Sequence, residues 1–166
     1  MNIFTYSFPA NVYFGQESVK RAFDEELPKA GKTVMLAYGG GSVKANGIYD
    51  KMVSLLKKAG KETVEFSGVM PNPTYAKVQE GAALARERQV DFILAVGGGS
   101  VIDCCKVISA QAVLDEDIWE LEYNKIAVCR ENERIENQRG NYSGIAALSG
   151  GYLQYHKIRP PRAQPR

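Results

Sequence analysis

The chain is 166 residues long, with 45% hydrophobic and 24% charged residues and a formal net charge of +2. That length suits about one domain, able to bury on the order of two-thirds of its unfolded surface, and so small a charge singles out no polyanionic partner. No apolar run reaches the roughly 18 residues that span a bilayer, residues 1–5 lack the basic-then-apolar pattern of a secretory signal, and three cysteines, two of them adjacent (Cys104, Cys105), do not make a disulfide framework, so a cytoplasmic protein is expected.

Residues 3–14 alternate loosely between apolar and polar types, are broken by Pro9 and close at Gly15, which predicts one or two short strands. Ser18–Ala30 carries Val19, Ala22, Phe23 and Leu27 at helical spacing, with Gly31 as the stop. Thr33–Tyr38 is apolar without alternation, as in a strand buried on both faces of a parallel sheet. Val43–Ala59 reads as one helix ended by Gly60, and Thr63–Phe66 as a short strand. Pro71-Asn72-Pro73 disfavours helix. Thr74–Arg88 is the next helix, Phe92–Val96 the third strand, and Ser100–Leu114 the helix behind it. The β-α-β-α-β-α order over residues 33–114 predicts an α/β fold, a doubly wound parallel sheet with right-handed crossovers.

After residue 124 the pattern fails. Residues 125–166 hold eight Lys/Arg and three Glu, a net of +5, against 13 basic and 16 acidic residues and a net of −3 in 1–124. Ile145–Leu148 is a short apolar cluster there. The expected division is an α/β domain at 1–124 and an irregular basic tail at 125–166 that buries little.

A glycine tract occurs twice, 58 residues apart: Gly39-Gly40-Gly41-Ser42-Val43 after one predicted strand, and Gly97-Gly98-Gly99-Ser100-Val101 after another. Glycine permits positive φ and close backbone approach, and a following helix offers free N–H groups and a positive dipole end, so a strand–tract–helix junction is where an α/β protein holds a phosphate. Neither tract matches the G-x-G-x-x-G fingerprint, and Ser67 and Gly68 stand where an acid would follow the strand ending at Phe66. The plain alternative is a tight turn with serine as N-cap, and Ser100 with Asp103 also fits a capping box. The functional alternative puts Asp103 and Lys106, three apart on one helix side, against a ribose or substrate hydroxyls. Lys44 is either solvated or reaches a 2′-phosphate. Cys104 and Cys105 read as buried inert thiols, and His156, the sole histidine, as solvated.

Gly97–Lys106 resembles the GGGSxxDxxK motif of the iron-containing (group III) alcohol dehydrogenases, in particular the NAD(P)H-dependent butanol dehydrogenase branch. The likeness continues through Asn11–Gly15, Gly39–Gly47 and Gly68–Pro73, in the family's order, over about residues 3–124. It implies the Rossmann-like N-terminal domain of the dehydroquinate synthase-like fold. The cofactor-binding candidates are then Gly40, Gly41 and Ser42 near the adenosine ribose, and Gly97, Gly98, Gly99 and Ser100 on the pyrophosphate. Asp103, with Lys106, lies toward the nicotinamide.

The family reaction that the resemblance implies is metal-assisted hydride transfer between NAD(P)H and an aldehyde. In the family a helical domain supplies one Asp and three His to a divalent metal, Fe or Zn; this chain has one histidine, so no metal ligand and no catalytic residue is assigned in it. The expectation is a truncated product, inactive by itself, whose tail is not family sequence and could arise from a shifted reading frame. A stand-alone nucleotide-binding or regulatory module is the alternative. The expected partners are a small-molecule nucleotide and, in a full-length form only, an alcohol or aldehyde. A homodimer is allowed for, and no membrane or nucleic-acid partner is expected.

Overall fold

The computed structural model describes residues 10–123, 144–149 and 152–156. The elements run β1 (Ala10–Tyr13), α1 (Ser18–Glu26), β2 (Thr33–Tyr38), α2 (Ser42–Ala45), α3 (Ile48–Lys58), β3 (Glu62–Phe66), α4 (Tyr75–Glu87), β4 (Phe92–Val96), α5 (Gly99–Val113), α6 (Ile118–Tyr123), β5 (Gly144–Ser149) and β6 (Tyr152–His156). Pro28 turns the end of the first predicted helix into a 3₁₀ turn, Leu27–Lys29. The single helix expected over Val43–Ala59 is two, because Gly47 adopts φ +73°, a left-handed conformation that interrupts the helix between α2 and α3. α4 starts where Thr74 caps it, its side chain accepting from the Lys77 N–H. The α6 turn was not anticipated from the sequence.

One six-stranded sheet has the order β1-β6-β5-β4-β2-β3. β3, β2, β4 and β5 are mutually parallel, while β6 runs antiparallel to both β5 and β1. The doubly wound expectation holds, with an antiparallel strand added. Alternate residues of β2 and β4 feed two cores, as the two-residue period of a strand requires. Met35, Ala37, Ile93 and Ala95 pack with Val78, Ala82 and Ala85 of α4 and Cys104, Cys105 and Ile108 of α5. Val34, Leu36, Phe92 and Leu94 pack with Ala22 and Phe23 of α1 and Met52 and Leu56 of α3. β2 and β4 are therefore covered on both faces, which is why their sequences show no alternation.

The irregular tail is corrected at two segments. Ile145–Leu148 lies within β5, registered on β4 from Phe92↔Gly144 to Val96↔Leu148, and Tyr152–His156, including the sole histidine, is a strand between β5 and β1. The remaining residues of the tail, and the strand expected before Ala10, lie outside the described residues.

Helix α4 crosses α5 at Gly81, where a β-carbon would come within 2.4 Å of Ile108 Cδ1 and 3.0 Å of Phe66 Cζ. Gly81→Val is expected to overpack this crossing and lower unfolding stability by about 2–3 kcal/mol, read by urea denaturation.

Candidate nucleotide site

Strands β2 and β4 are hydrogen-bonded neighbours, paired from Val34↔Phe92 to Tyr38↔Val96. Because the chain runs from β2 outward to β3 and then crosses back to β4, the strand order reverses between β2 and β4. Such switch points open a crevice at the carboxyl ends of the strands. Both glycine tracts emerge there. They line one cleft of about 300 Å³, together with Val43, Val69, Pro71, Val96 and Val101. The loop after β3 is drawn into it by two backbone bonds, Gly68 N–H to Gly39 O at 3.0 Å and Val69 N–H to Tyr38 O at 3.3 Å. Val69 and Pro71 were not among the sequence candidates; the non-helical Pro71–Pro73 stretch was the available signal.

The tract glycines are not there to supply positive φ. Among the described residues the glycines at positive φ are Gly15, Gly47, Gly60 and Gly68, none of them in a tract. Space decides instead. A β-carbon on Gly97 would lie 2.6 Å from Val101 Cγ2, and one on Gly39 would lie 3.0 Å from Val69 O, so these two permit close packing of strand on helix and loop. On Gly40, Gly41, Gly98 and Gly99 it would meet nothing within 4 Å. Those four leave the backbone bare toward open space, a cradle that side chains would fill.

The serine-cap alternative also fails. α5 begins at Gly99 with Gly98 as N-cap and no side-chain cap bond, and α2 begins at Ser42 after Gly41, again without one. Ser100 sits second in its helix, so the capping box with Asp103 does not form. The first bonds into the start of α5 are from Val101 N–H and Ile102 N–H to Gly98 O, at 3.1 and 3.2 Å. The N–H groups of Gly99 and Ser100 thus have no acceptor within the helix. A fifteen-residue helix gives this end a developed dipole; the four-residue α2 does not, so the dipole argument applies to the second tract alone.

Of the nine sequence candidates, Gly40, Ser42, Gly97, Gly98, Gly99 and Ser100 line the cleft. Gly41 lies between two lining residues. Asp103 and Lys106 lie outside the lining and pair with each other across one turn, Nζ to Oδ1 at 3.4 Å, both well exposed. No lining residue carries a charge. Cys104 and Cys105 are buried behind the sheet, and burial pushes both thiols up, as inert packing requires.

Lys44 is not free in solvent. Its Nζ lies 2.8 Å from Glu65 Oε1, and the same carboxylate accepts from the Tyr38 hydroxyl and, at 2.8 Å, from the Tyr49 hydroxyl. Glu65 is one residue short of the strand tip, and alternation turns it toward α2 and α3 while Phe66 enters the opposite core.

A larger concavity of about 760 Å³ between β1 and α1 is lined by charged groups already matched to one another. Arg21 pairs with Glu25 at 2.7 Å and Lys29 with Glu26 at 3.0 Å. Burial opposes the charge on Glu26, yet donors from Tyr13, Lys29 and Asn11 outweigh it and hold its carboxyl below the usual range. That arrangement fastens β1 to α1.

A protein-family model described as iron-containing alcohol dehydrogenase matches residues 9–142. The chain belongs to the iron-containing alcohol dehydrogenase family. It is similar to the probable NADH-dependent butanol dehydrogenase 1 of Bacillus subtilis, 48% identical over 125 residues, covering 75% of this chain and 32% of that protein. The NADPH-dependent aldehyde reductase of Escherichia coli is 41% identical over 123 residues, 73% of this chain and 31% of that protein. Among solved structures, NADH-dependent butanol dehydrogenase A of Thermotoga maritima superposes with a TM-score of 0.66 at 42% identity, over 72% of this chain and 30% of that one. The substrate- and cofactor-free Escherichia coli aldehyde reductase does so with a TM-score of 0.64 at 28% identity, over 96% and 43%. The chain thus spans about a third of the length of the curated relatives it matches, and the likeness falls on their N-terminal part.

The bonds from Lys44, Tyr38 and Tyr49, against a smaller opposing effect of burial, hold the Glu65 carboxyl far below the usual carboxylate range, at about 2. The contribution of this pair to stability is complete above the unfolded-state value near 4.5 and is lost as pH falls toward 2. Carboxyl-carbon NMR should find Glu65 still ionised at about pH 3.5, where solvated glutamates are largely protonated, and Lys44→Met should raise its midpoint.

Proposed function

We propose that the cleft binds a nicotinamide dinucleotide, NADH or NADPH, and that this chain supplies the cofactor-binding part of an alcohol dehydrogenase interconverting an alcohol and an aldehyde. The observation that carries this reading is that both glycine tracts line a single cleft at the carboxyl ends of two neighbouring parallel strands. The pyrophosphate fits the second tract, where Gly98 and Gly99 leave room and the Gly99 and Ser100 N–H groups need acceptors. Gly40, Gly41 and Ser42 face the adenosine ribose. Asp103 and Lys106, further along α5, are assigned to the nicotinamide end.

When bound, the dinucleotide carries the hydride. The residues of this chain hold and orient it with neutral donors, while Val69, Pro71, Val96 and Val101 supply apolar walls. The family name implies iron. Among the described residues no three His, Cys, Asp or Glu converge so as to hold a metal ion, so the residues present do not fit one and no step is assigned to it here.

Fluorescence titration is expected to show NADH or NADPH binding. Gly98→Val, which fills the open space beside the helix start, should weaken it at least about ten-fold with little change in stability. Retained affinity would place the nucleotide elsewhere. With Fe²⁺ or Zn²⁺ added, the chain by itself is expected to reduce no aldehyde; turnover would overturn its assignment to the cofactor half.

A further inference from the structure

The pairing of Lys44 with Glu65 bears on which dinucleotide the cleft takes. Lys44 follows the cleft-lining Ser42 by two residues, and the cleft's own lining is uncharged. Its ammonium group stands 2.8 Å from Glu65 Oε1, with the Tyr49 ring centre at 4.7 Å and the Tyr38 ring centre at 5.6 Å. Tyr38 and Tyr49 hydroxyls complete the set of donors on the carboxylate. Both partners of the ion pair are partly exposed, the lysine side chain at 52% and the glutamate at 39%, so a ligand can reach them. The other lysine near this loop, Lys77, is packed over the Phe66 ring at 4.4 Å and paired with Glu80 at 2.9 Å on the opposite face of the sheet.

We propose that Glu65 sets the cofactor preference of the cleft by competing with a ribose 2′-phosphate for Lys44. This rests on the reading of the cleft as a dinucleotide site with its adenosine end at the first tract. A lysine is a mobile point charge that can serve either anion. A 2′-phosphate that recruits Lys44 must break its bond to Glu65 or settle beside that carboxylate, and like charges in proximity are penalised. A 2′-hydroxyl carries no charge and meets neither cost. Glu65 therefore discriminates against the phosphorylated cofactor without touching the unphosphorylated one. It is a specificity-determining residue that acts through Lys44.

The pair also ties the edge strand β3 to α2, so a purely structural role must be separable. NADH and NADPH affinities should be measured by nicotinamide fluorescence on the wild type, Glu65→Gln, and the double variant Glu65→Gln with Lys44→Gln. Glutamine removes the charge, keeps one acceptor oxygen for the Tyr38 hydroxyl and presents an amide N–H that the Tyr49 hydroxyl oxygen can accept. Glu65→Gln is expected to tighten NADPH about ten-fold and to leave NADH within about two-fold, and the double variant to lose the NADPH gain. An unchanged ratio of the two affinities, or an equal loss of both, overturns the proposal. If the wild type binds neither nucleotide, the dinucleotide reading falls, and the selectivity proposal falls with it; NADH binding with an unmoved ratio sinks the selectivity proposal alone.

Discussion

The parallel pairing of β2 with β4 is the contact on which the rest depends. Five residue pairs, Val34↔Phe92 through Tyr38↔Val96, bring side by side two strands that are separated in sequence by a whole strand and three helices. Once they are neighbours, β3 must lie outside β2, the return connection must cross over, and the two loops that follow β2 and β4 must open toward each other. The cleft is a consequence of that crossover. Strands buried on both faces hold it rigidly, since alternate residues of β2 and β4 lock into separate cores above and below the sheet.

Glycine contributes to the cleft by what it lacks in volume. Gly39 and Gly97 let a loop and a helix approach the strand ends, and Gly40, Gly41, Gly98 and Gly99 keep the mouth clear. The two copies are unequal in a way their shared sequence conceals. The second opens a fifteen-residue helix with unsatisfied N–H groups and a full dipole, whereas the first opens a single turn that Gly47 cuts off. Charge enters at the margin, through Lys44 beside the first tract and Lys106 along α5, and there it is already matched by Glu65 and Asp103. An uncharged cradle with one neutralised cation beside it suits a ligand held mainly by backbone dipoles.

The segment after residue 124 shows how strand pairing depends on neighbours. Gly144–Ser149 is a short segment, and it pairs in parallel with β4, a strand already buried, from Phe92↔Gly144 to Val96↔Leu148. β6 then bridges β5 to β1, so strands from opposite ends of the described chain close one edge of the sheet.

Read from its residues, the chain discloses its period and its punctuation. Uninterrupted apolar runs marked β2 and β4 as doubly covered strands, helical spacing marked α1, α4 and α5, and Pro71–Pro73 marked a non-helical connection, because each of these is a local property of the backbone and its side chains. The repeated Gly-Gly-Gly-Ser tract pointed to a phosphate site, and six of the nine candidate residues line the cleft. Strand order, the unequal helices that follow the two tracts, the recruitment of Val69 and Pro71, and the Glu65–Lys44 pair were decided by the tertiary structure. Each depends on residues distant in sequence meeting across the sheet, from Lys44 with Glu65 to Ala10 with His156, and no local pattern encodes which strand becomes whose neighbour.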